Sequence, residues 1–198
     1  SNPCSEYMHI DNSSCNLASL NLMKFVDAND NFDIEGYKHA VEVMFLAQEI
    51  SVGFAAYPTD KIGENTLKMR QLGQGYANIG ALLMSQGLAY DSDEGRTWAA
   101  SLMAIMTGHC YATSAKIAER VGVFEEYPKN SEPMLNVMRK HQEEAYKISD
   151  EKAHPGLVEA ARQAWDDAPD RATALDAWND YEAARDYWGD ACIGAPRA

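Results

Sequence analysis

The stretch DSDEGRTWAASLMAIMTGHCYATSAKIAERV (residues 91–121) predicts the longest element of the protein. Asp91 and Ser92 are typical of residues that cap the start of a helix. Beyond them, side chains recur in steps of three and four residues, at Trp98, Leu102, Met106, Cys110, Thr113, Ile117 and Val121. This spacing places them on one face of a helix of about 44 Å that spans residues 93–121.

The same signals predict further helices on both sides of this stretch. We expect helices over residues 34–55, 59–71, 76–86, 133–146 and 156–167, and a charged helix over 170–188. Thr59 is the expected N-cap of the second, and Pro133 the first residue of the fourth. GQGYANIG (73–80) lacks a full G-x-G-x-x-G pattern and follows no predicted strand, which favours close helix packing or a helix start over a phosphate-binding loop.

The front of the chain has a different pattern. Residues 7–10 and 17–25 form two apolar runs that are separated by turn-forming residues at 11–14. We therefore predict a mainly α fold with a small N-terminal β hairpin. The expected segments are the hairpin region 1–33, a helical region 34–167, and an acidic tail 168–198.

Composition limits the class of protein. The 198 residues are 46% hydrophobic and 24% charged, which is ordinary for a globular domain and argues against disorder. The net charge is 17 − 30 = −13, so the overall field would not attract nucleic acid or an anionic membrane. No apolar run approaches the length of a membrane span, and the first residues do not resemble a signal peptide. With only four cysteines, a reducing, cytoplasmic setting is expected.

Asn2, Cys4 and Glu6 alternate along the chain. In an extended backbone their side chains would point to the same side. A neighbouring carboxylate disfavours a thiolate, so this trio suits a thiol that reacts as S–H, beside a carboxylate that handles a hydroxyl proton and an amide that orients a substrate. Such a thiol is suited to hydrogen-atom chemistry. The alternative is that Asn2-Pro3 opens a turn and Glu6 is solvated.

Cys15 lies across the predicted hairpin from Cys4. The two thiols could form or exchange a disulfide, or Cys15 could simply be a core residue. We predict no metal site, because the cysteines lack a C-x-x-C spacing and the adjacent His109 and Cys110 would diverge on a helix. Cys110 is expected in the core.

Three strings then suggest a family. NPCSEYMHIDNSSCNLASLNLMKF (2–25), YPTDKIGENTLKMRQLGQGYANIGALLMSQGLAYDSDEGR (57–96) and EPMLNVMRKHQEEAYKI (132–148) closely resemble the catalytic chain of ribonucleotide reductases, with the best match to the adenosylcobalamin-dependent class II. The resemblance covers about residues 1–166. Its most specific feature is N-x-C-x-E at residues 2–6, followed eleven residues after Cys4 by the cysteine of SSCNLASLNL.

The resemblance implies roles for four residues. Cys4 matches the cysteine that becomes a thiyl radical and takes the 3′-hydrogen of the ribose. Glu6 matches the carboxylate that accepts the 3′-hydroxyl proton, and Asn2 the amide that binds the substrate. Cys15 matches one member of the redox pair that reduces the 2′-position and ends as a disulfide. The resemblance also implies a ribonucleotide substrate, a thioredoxin-type reductant, and adenosylcobalamin, which supplies the radical by homolysis of its cobalt–carbon bond.

The resemblance is partial. The catalytic chain of the family is several times longer, and a ten-stranded α/β barrel surrounds its radical cysteine. The partner of Cys15 belongs to an earlier strand, the tail DYWGDACIGAPRA does not resemble the family, and Cys192 alone is not its C-terminal cysteine pair. We expect a fragment of this barrel that is inactive without complementing reductase segments or chains. The alternatives are a non-catalytic helical assembly module that pairs with itself or a partner, and a thiol redox protein that uses Cys4 and Cys15.

Overall fold

A computed structural model describes residues 7–149 and 154–168 of the protein, and most of them are helical. The elements follow in the order β1 (Asn16–Asn21), a 3₁₀ turn (Leu22–Phe25), α1 (Ile34–Phe54), α2 (Asp60–Met69), β2 (Leu72–Ala77), α3 (Ile79–Ser85), α4 (Asp93–Val121), α5 (Tyr127–Tyr146) and α6 (Pro155–Asp166). The mainly α prediction is confirmed. The predicted helix 170–188 lies outside the described residues.

Side-chain caps fix where several helices begin. The Ser92 hydroxyl accepts a hydrogen bond from Gly95 N at 3.0 Å, and Thr59 accepts one from Ile62 N at 3.3 Å. Each cap satisfies an amide that has no partner within the first helical turn. The predicted starts of α2 and α4 are therefore confirmed, and α4 has its expected bounds.

The predicted N-terminal hairpin is wrong. β1 pairs with β2 instead, in parallel, from Asn16 opposite Leu72 to Asn21 opposite Ala77. Parallel neighbours need a long crossover, which α1 and α2 provide here. Residues 7–15 contain no strand, and residues 22–25 form the 3₁₀ turn.

The sequence LGQGYA concealed β2 because glycine is a poor strand former. Because β2 includes Tyr76 and Ala77, the predicted helix 76–86 is shortened to α3. Gly73 fits this strand because the neighbouring strand lies very close. A Cβ atom added at Gly73 would lie 2.3 Å from Leu17 Cδ2 and 3.2 Å from Cys15 Sγ.

α4 is the centre of the helical packing and contacts α1, α5 and α6. On its predicted stripe, Trp98, Leu102, Met106 and Thr113 are buried, but Val121 is 65% exposed because the helix extends beyond the core. The main core also includes Tyr37, Val41, Leu82, Ile105, Leu157, Ala161 and Trp165.

α5 begins earlier than predicted. It starts at Tyr127, with Pro128 in its first turn, so Pro133 lies inside the helix and not at its beginning. Pro128 provides the helix-compatible backbone at the start. Pro133 is an interior proline, which removes one hydrogen-bond donor and crowds the carbonyl group one turn earlier. α6 lies within one residue of its predicted bounds. None of the described helices combines the length and apolar character needed to cross a membrane.

Candidate functional site

The two-stranded sheet has one face covered by helices and one open face. On the covered face, Asn16 and Gln74 bond to α1, and Tyr76 donates to a carbonyl of α4. Side chains alternate between the faces of a strand, so Cys15, Leu17 and Ser19 point to the other side. Leu17 is 58% exposed there, whereas Leu20 on the covered face is 8% exposed.

Cys15 lies at the beginning of this open face and is half-buried. Its Sγ atom lies 3.8 Å from the carbonyl oxygen of Asn16. Two glycines of β2 add no side chains to this part of the face. Gly73 leaves room for the Cys15 thiol, and Gly75 presents only backbone beside Ser19. Glycine within a strand often marks a place where a ligand or another backbone approaches closely.

The loop before Cys15 is attached to α2 and to the start of β2. Gln71 Nε2 donates to the Tyr7 hydroxyl at 3.4 Å, and Asn65 Nδ2 donates to the Asp11 carbonyl at 3.1 Å. Ser14 N donates to Thr66 Oγ1 at 3.0 Å, and the two hydroxyls lie 2.9 Å apart. The Gln71 carbonyl also accepts a hydrogen bond from Asn16 N, so Tyr7 and β1 are both held at residue 71.

Gln48 of α1 connects the two strands beside this site. The buried Nε2 atom of Gln48 donates to the backbone carbonyls of Asn16 at 2.9 Å and Gly73 at 3.0 Å. The backbone carbonyl of Gln48 accepts a hydrogen bond from Asn16 Nδ2 at 3.0 Å. These bonds fix the first residues of the sheet against the helix. In the predicted helix 34–55, Gln48 recurs at helical spacing with the apolar residues Val41 and Val52. A polar residue on an otherwise apolar stripe was the available signal that its side chain makes buried hydrogen bonds.

Cys110 lies on the covered side, where its thiol donates to Gln74 Oε1 at 3.1 Å. Burial raises the pKa of this thiol to about 12, so it stays protonated at neutral pH. Burial also lowers the pKa of the neighbouring His109. Cys110 packs against the core, as predicted, and it lacks the thiolate character of a nucleophile.

Of the four predicted site residues, Cys15 is within the described part of the chain. Asn2, Cys4 and Glu6 lie outside it, so their convergence stays a prediction. Thr66 and Gln71 were missed by the sequence reasoning, because their partners lie 52 and 64 residues away along the chain. No local pattern signals such contacts.

The chain is similar in sequence to known proteins over most of its length. Residues 1–182 match the family model described as "Ribonucleotide reductase, barrel domain". A vitamin B12-dependent ribonucleotide reductase of Streptomyces coelicolor is 50% identical over 184 residues, which are 91% of this chain and 18% of the relative. One of Streptomyces clavuligerus is 55% identical over 145 residues, 71% of this chain and 15% of the relative.

A more distant relative is the vitamin B12-dependent ribonucleoside-diphosphate reductase of Mycobacterium tuberculosis. It is 33% identical over 124 residues, which are 62% of this chain and 18% of the relative. The chain thus spans 15–18% of the length of these three relatives. The family match extends past residue 166 and covers most of the chain. The chain belongs to the ribonucleotide reductase family, within its barrel domain.

Proposed function

We propose that this chain is the radical-cysteine segment of a vitamin B12-dependent ribonucleotide reductase, an oxidoreductase that makes deoxyribonucleotides for DNA synthesis. The observation that carries the proposal is the family match over residues 1–182, together with relatives of that name at about 50% identity. The family thiol at Cys15 also lies on the open, glycine-lined face of the sheet, where a substrate can approach.

In this proposal Cys4 takes the 3′-hydrogen, Glu6 accepts the 3′-hydroxyl proton and Asn2 orients the ribose. Cys15 and a second thiol from elsewhere in the barrel then supply two electrons and two protons. The 2′-hydroxyl leaves as water, a C–H bond forms at that carbon, and the thiols become a disulfide. At the end of the cycle the Cys4 S–H returns a hydrogen atom to the 3′-carbon radical, and Cys4 is again a thiyl radical.

The attachment of Tyr7 supports a shared location for the two cysteines. Tyr7 bonds to Gln71, and the Gln71 carbonyl bonds to Asn16, the residue after Cys15. Cys4 is three residues before Tyr7, so its Cα lies within about 11 Å of the Tyr7 Cα in any conformation. This short tether supports the proposal that Cys4 and Cys15 act at one site.

The proposal also concerns the rest of the barrel. We take β1 and β2 as adjacent strands of the family's ten-stranded α/β barrel, with α1 and α2 as the crossover between them. Because the chain spans less than a fifth of the relatives compared above, we propose that turnover needs complementing reductase segments or chains. The reaction would take place in the cytoplasm with a thioredoxin-type reductant.

Adenosylcobalamin is proposed as the cofactor from the names of the relatives. Among residues 7–149 and 154–168, no three His, Cys, Asp or Glu side chains are grouped closely enough to hold a metal ion. A surface groove of about 460 Å³ lies at the start of α1, about 21 Å along that helix from Gln48, and so is remote from Cys15. We assign no cofactor contact to the described residues.

The test is nucleotide reduction by this chain together with its complementing segments and adenosylcobalamin. Cys4→Ser should abolish deoxyribonucleotide formation, because serine cannot form the radical that takes the 3′-hydrogen. Cys192→Ser is the matched control and should retain activity. Turnover that survives Cys4→Ser would refute the proposal.

One observation favours a second candidate, the helical assembly module. Val43, Leu46, Ile50 and Phe54 recur in steps of three, four and four along α1 and are 46–88% exposed. An apolar stripe at helical spacing is typical of a surface that another protein covers. In this alternative the stripe pairs with a second copy of the chain or with a partner.

A further inference from the structure

Thr66 combines complete burial with two polar contacts to the residue before Cys15. Its side chain is 1% exposed, and its hydroxyl accepts from Ser14 N at 3.0 Å and lies 2.9 Å from Ser14 Oγ. As a β-branched residue, threonine holds its hydroxyl in a restricted set of rotamers. The hydroxyl thus gives the backbone next to Cys15 a fixed point of attachment.

The end of α2 is itself attached to α1. Arg70, the residue after α2, donates from Nε to Glu49 Oε1 at 2.5 Å and from Nη2 to the Glu49 carbonyl at 2.8 Å. Glu49 follows Gln48, which holds the Asn16 carbonyl. Cys15 therefore lies between two residues that are both fixed to this pair of helices, Ser14 through Thr66 and Asn16 through Gln48.

We propose that Thr66 is a positioning residue for the Cys15 thiol, and this proposal rests on the redox role given to Cys15 above. A disulfide forms only when its two Cβ atoms come within about 4 Å with a defined torsion, so a small displacement of residue 15 removes the productive geometry. Thr66 acts through Ser14 and touches no reacting atom. Its hydroxyl keeps the thiol over Gly73 on the open face.

The test compares three variants of the full chain. Thr66→Val removes the hydroxyl and keeps the shape, and Thr66→Ser restores a hydroxyl. Thr113→Val is the matched control, since Thr113 is also a buried threonine, but its hydroxyl donates to the His109 carbonyl within α4. The readout is the rate at which iodoacetamide alkylates Cys15 across a pH series, measured by mass spectrometry of the peptide that contains it.

We expect Thr66→Val to increase the Cys15 alkylation rate about fivefold, the factor that corresponds to one hydrogen bond. Thr66→Ser should restore the parent alkylation rate at every pH of the series, and Thr113→Val should leave that rate unchanged. The proposal is overturned if Thr66→Val behaves like the parent chain, or if Thr113→Val has the same effect, since that would indicate general loosening of the fold.

A second measurement separates this proposal from the proposed function. In the complemented reductase, Cys15→Ser tests the redox role directly. Full turnover by Cys15→Ser refutes the redox role of Cys15. Thr66 would then have no positioning role in the reaction, whatever alkylation rates the Thr66 variants show. Loss of turnover by Cys15→Ser, combined with parent-like alkylation of Thr66→Val, refutes only the positioning role.

Discussion

Cys110 illustrates how burial alone decides the chemistry of a thiol in this protein. It lies against the core with its hydrogen directed at Gln74 Oε1, and its pKa is raised to about 12 by burial. Cys15 lies on the opposite side of the same sheet, at the open face. The two thiols therefore lie on opposite faces of the same β1–β2 pair.

The raised pKa of Cys110 predicts a specific loss of stability at high pH. In the unfolded chain the thiol ionises near its ordinary value of 9.0, whereas the folded protein keeps it protonated to about pH 12. The unfolded state then binds fewer protons, so the free energy of unfolding falls as pH rises from 9 towards 12. The contribution of this group is at most about 1.4 kcal/mol per pH unit.

Cys110→Ala should remove that part of the pH dependence. The unfolding free energies of the parent chain and the variant, measured by urea denaturation between pH 7 and 10.5, should converge above pH 9. Curves that stay parallel over the whole range would show that Cys110 is not protonated preferentially in the folded state. Cys192→Ser, at a cysteine outside the described residues, provides the comparison.

At the level of elements, the approach of α4 to α6 depends on Gly108. A Cβ atom at this position would lie 2.9 Å from the backbone C and O atoms of Ala164. Backbone atoms cannot rotate away as a flexible side chain can, so the two helices would have to separate. The small residue at position 108 sets the spacing of the central helix pair.

Gly108→Ala should therefore destabilise the protein by about 1–3 kcal/mol, the usual cost of overpacking. Gly53→Ala is the matched control, because a Cβ atom at Gly53 would meet nothing within 4 Å. That substitution should raise stability by up to about 1 kcal/mol through helix propensity. Equal melting temperatures for the two variants would contradict the close packing of α4 on α6.

The exposed stripe of α1 gives a test of the assembly alternative. If Val43, Leu46, Ile50 and Phe54 pair two copies, light scattering should give a mass above 21.9 kDa that rises with concentration. Leu46→Glu should return the mass to the monomer, since burying an unpaired carboxylate is costly. Met84→Glu, at an exposed position of α3, should have no effect. A monomer at every concentration would exclude self-assembly.

Features that depend on residues close together along the chain could be predicted from the sequence, whereas features that depend on distant residues could not. The bounds of α4 and the caps at Thr59 and Ser92 depend on residues within one turn, so local patterns predicted them. β1 and β2 pair residues 56 positions apart, and the glycines of β2 weaken its strand signal. The attachment of Ser14, the residue before Cys15, to Thr66 was hidden for the same reason, although the family resemblance predicted a redox role for Cys15.

At the level of the whole molecule, the edge of β1 that faces away from β2 has no partner strand in the described part of the chain. Asn16 N donates across to the Gln71 carbonyl, and amides alternate in direction along a parallel strand. The Leu17 and Ser19 amides therefore point away from β2, and no strand in the described part of the chain lies on that side. In a closed barrel such an edge is paired, and unpaired edges are otherwise a liability.

If the proposed function is correct, complementing reductase segments should protect this edge. Amide exchange followed by NMR should become at least about tenfold slower at Leu17 and Ser19 when the segments are added, since pairing a strand closes its local opening. The Ala18 amide points towards β2 and should change much less, which makes it an internal control. Restored nucleotide reduction without any change at Leu17 and Ser19 would show that β1 is not an interior strand of the assembled barrel. The edge amides thus test the placement of this segment independently of the radical chemistry of Cys4.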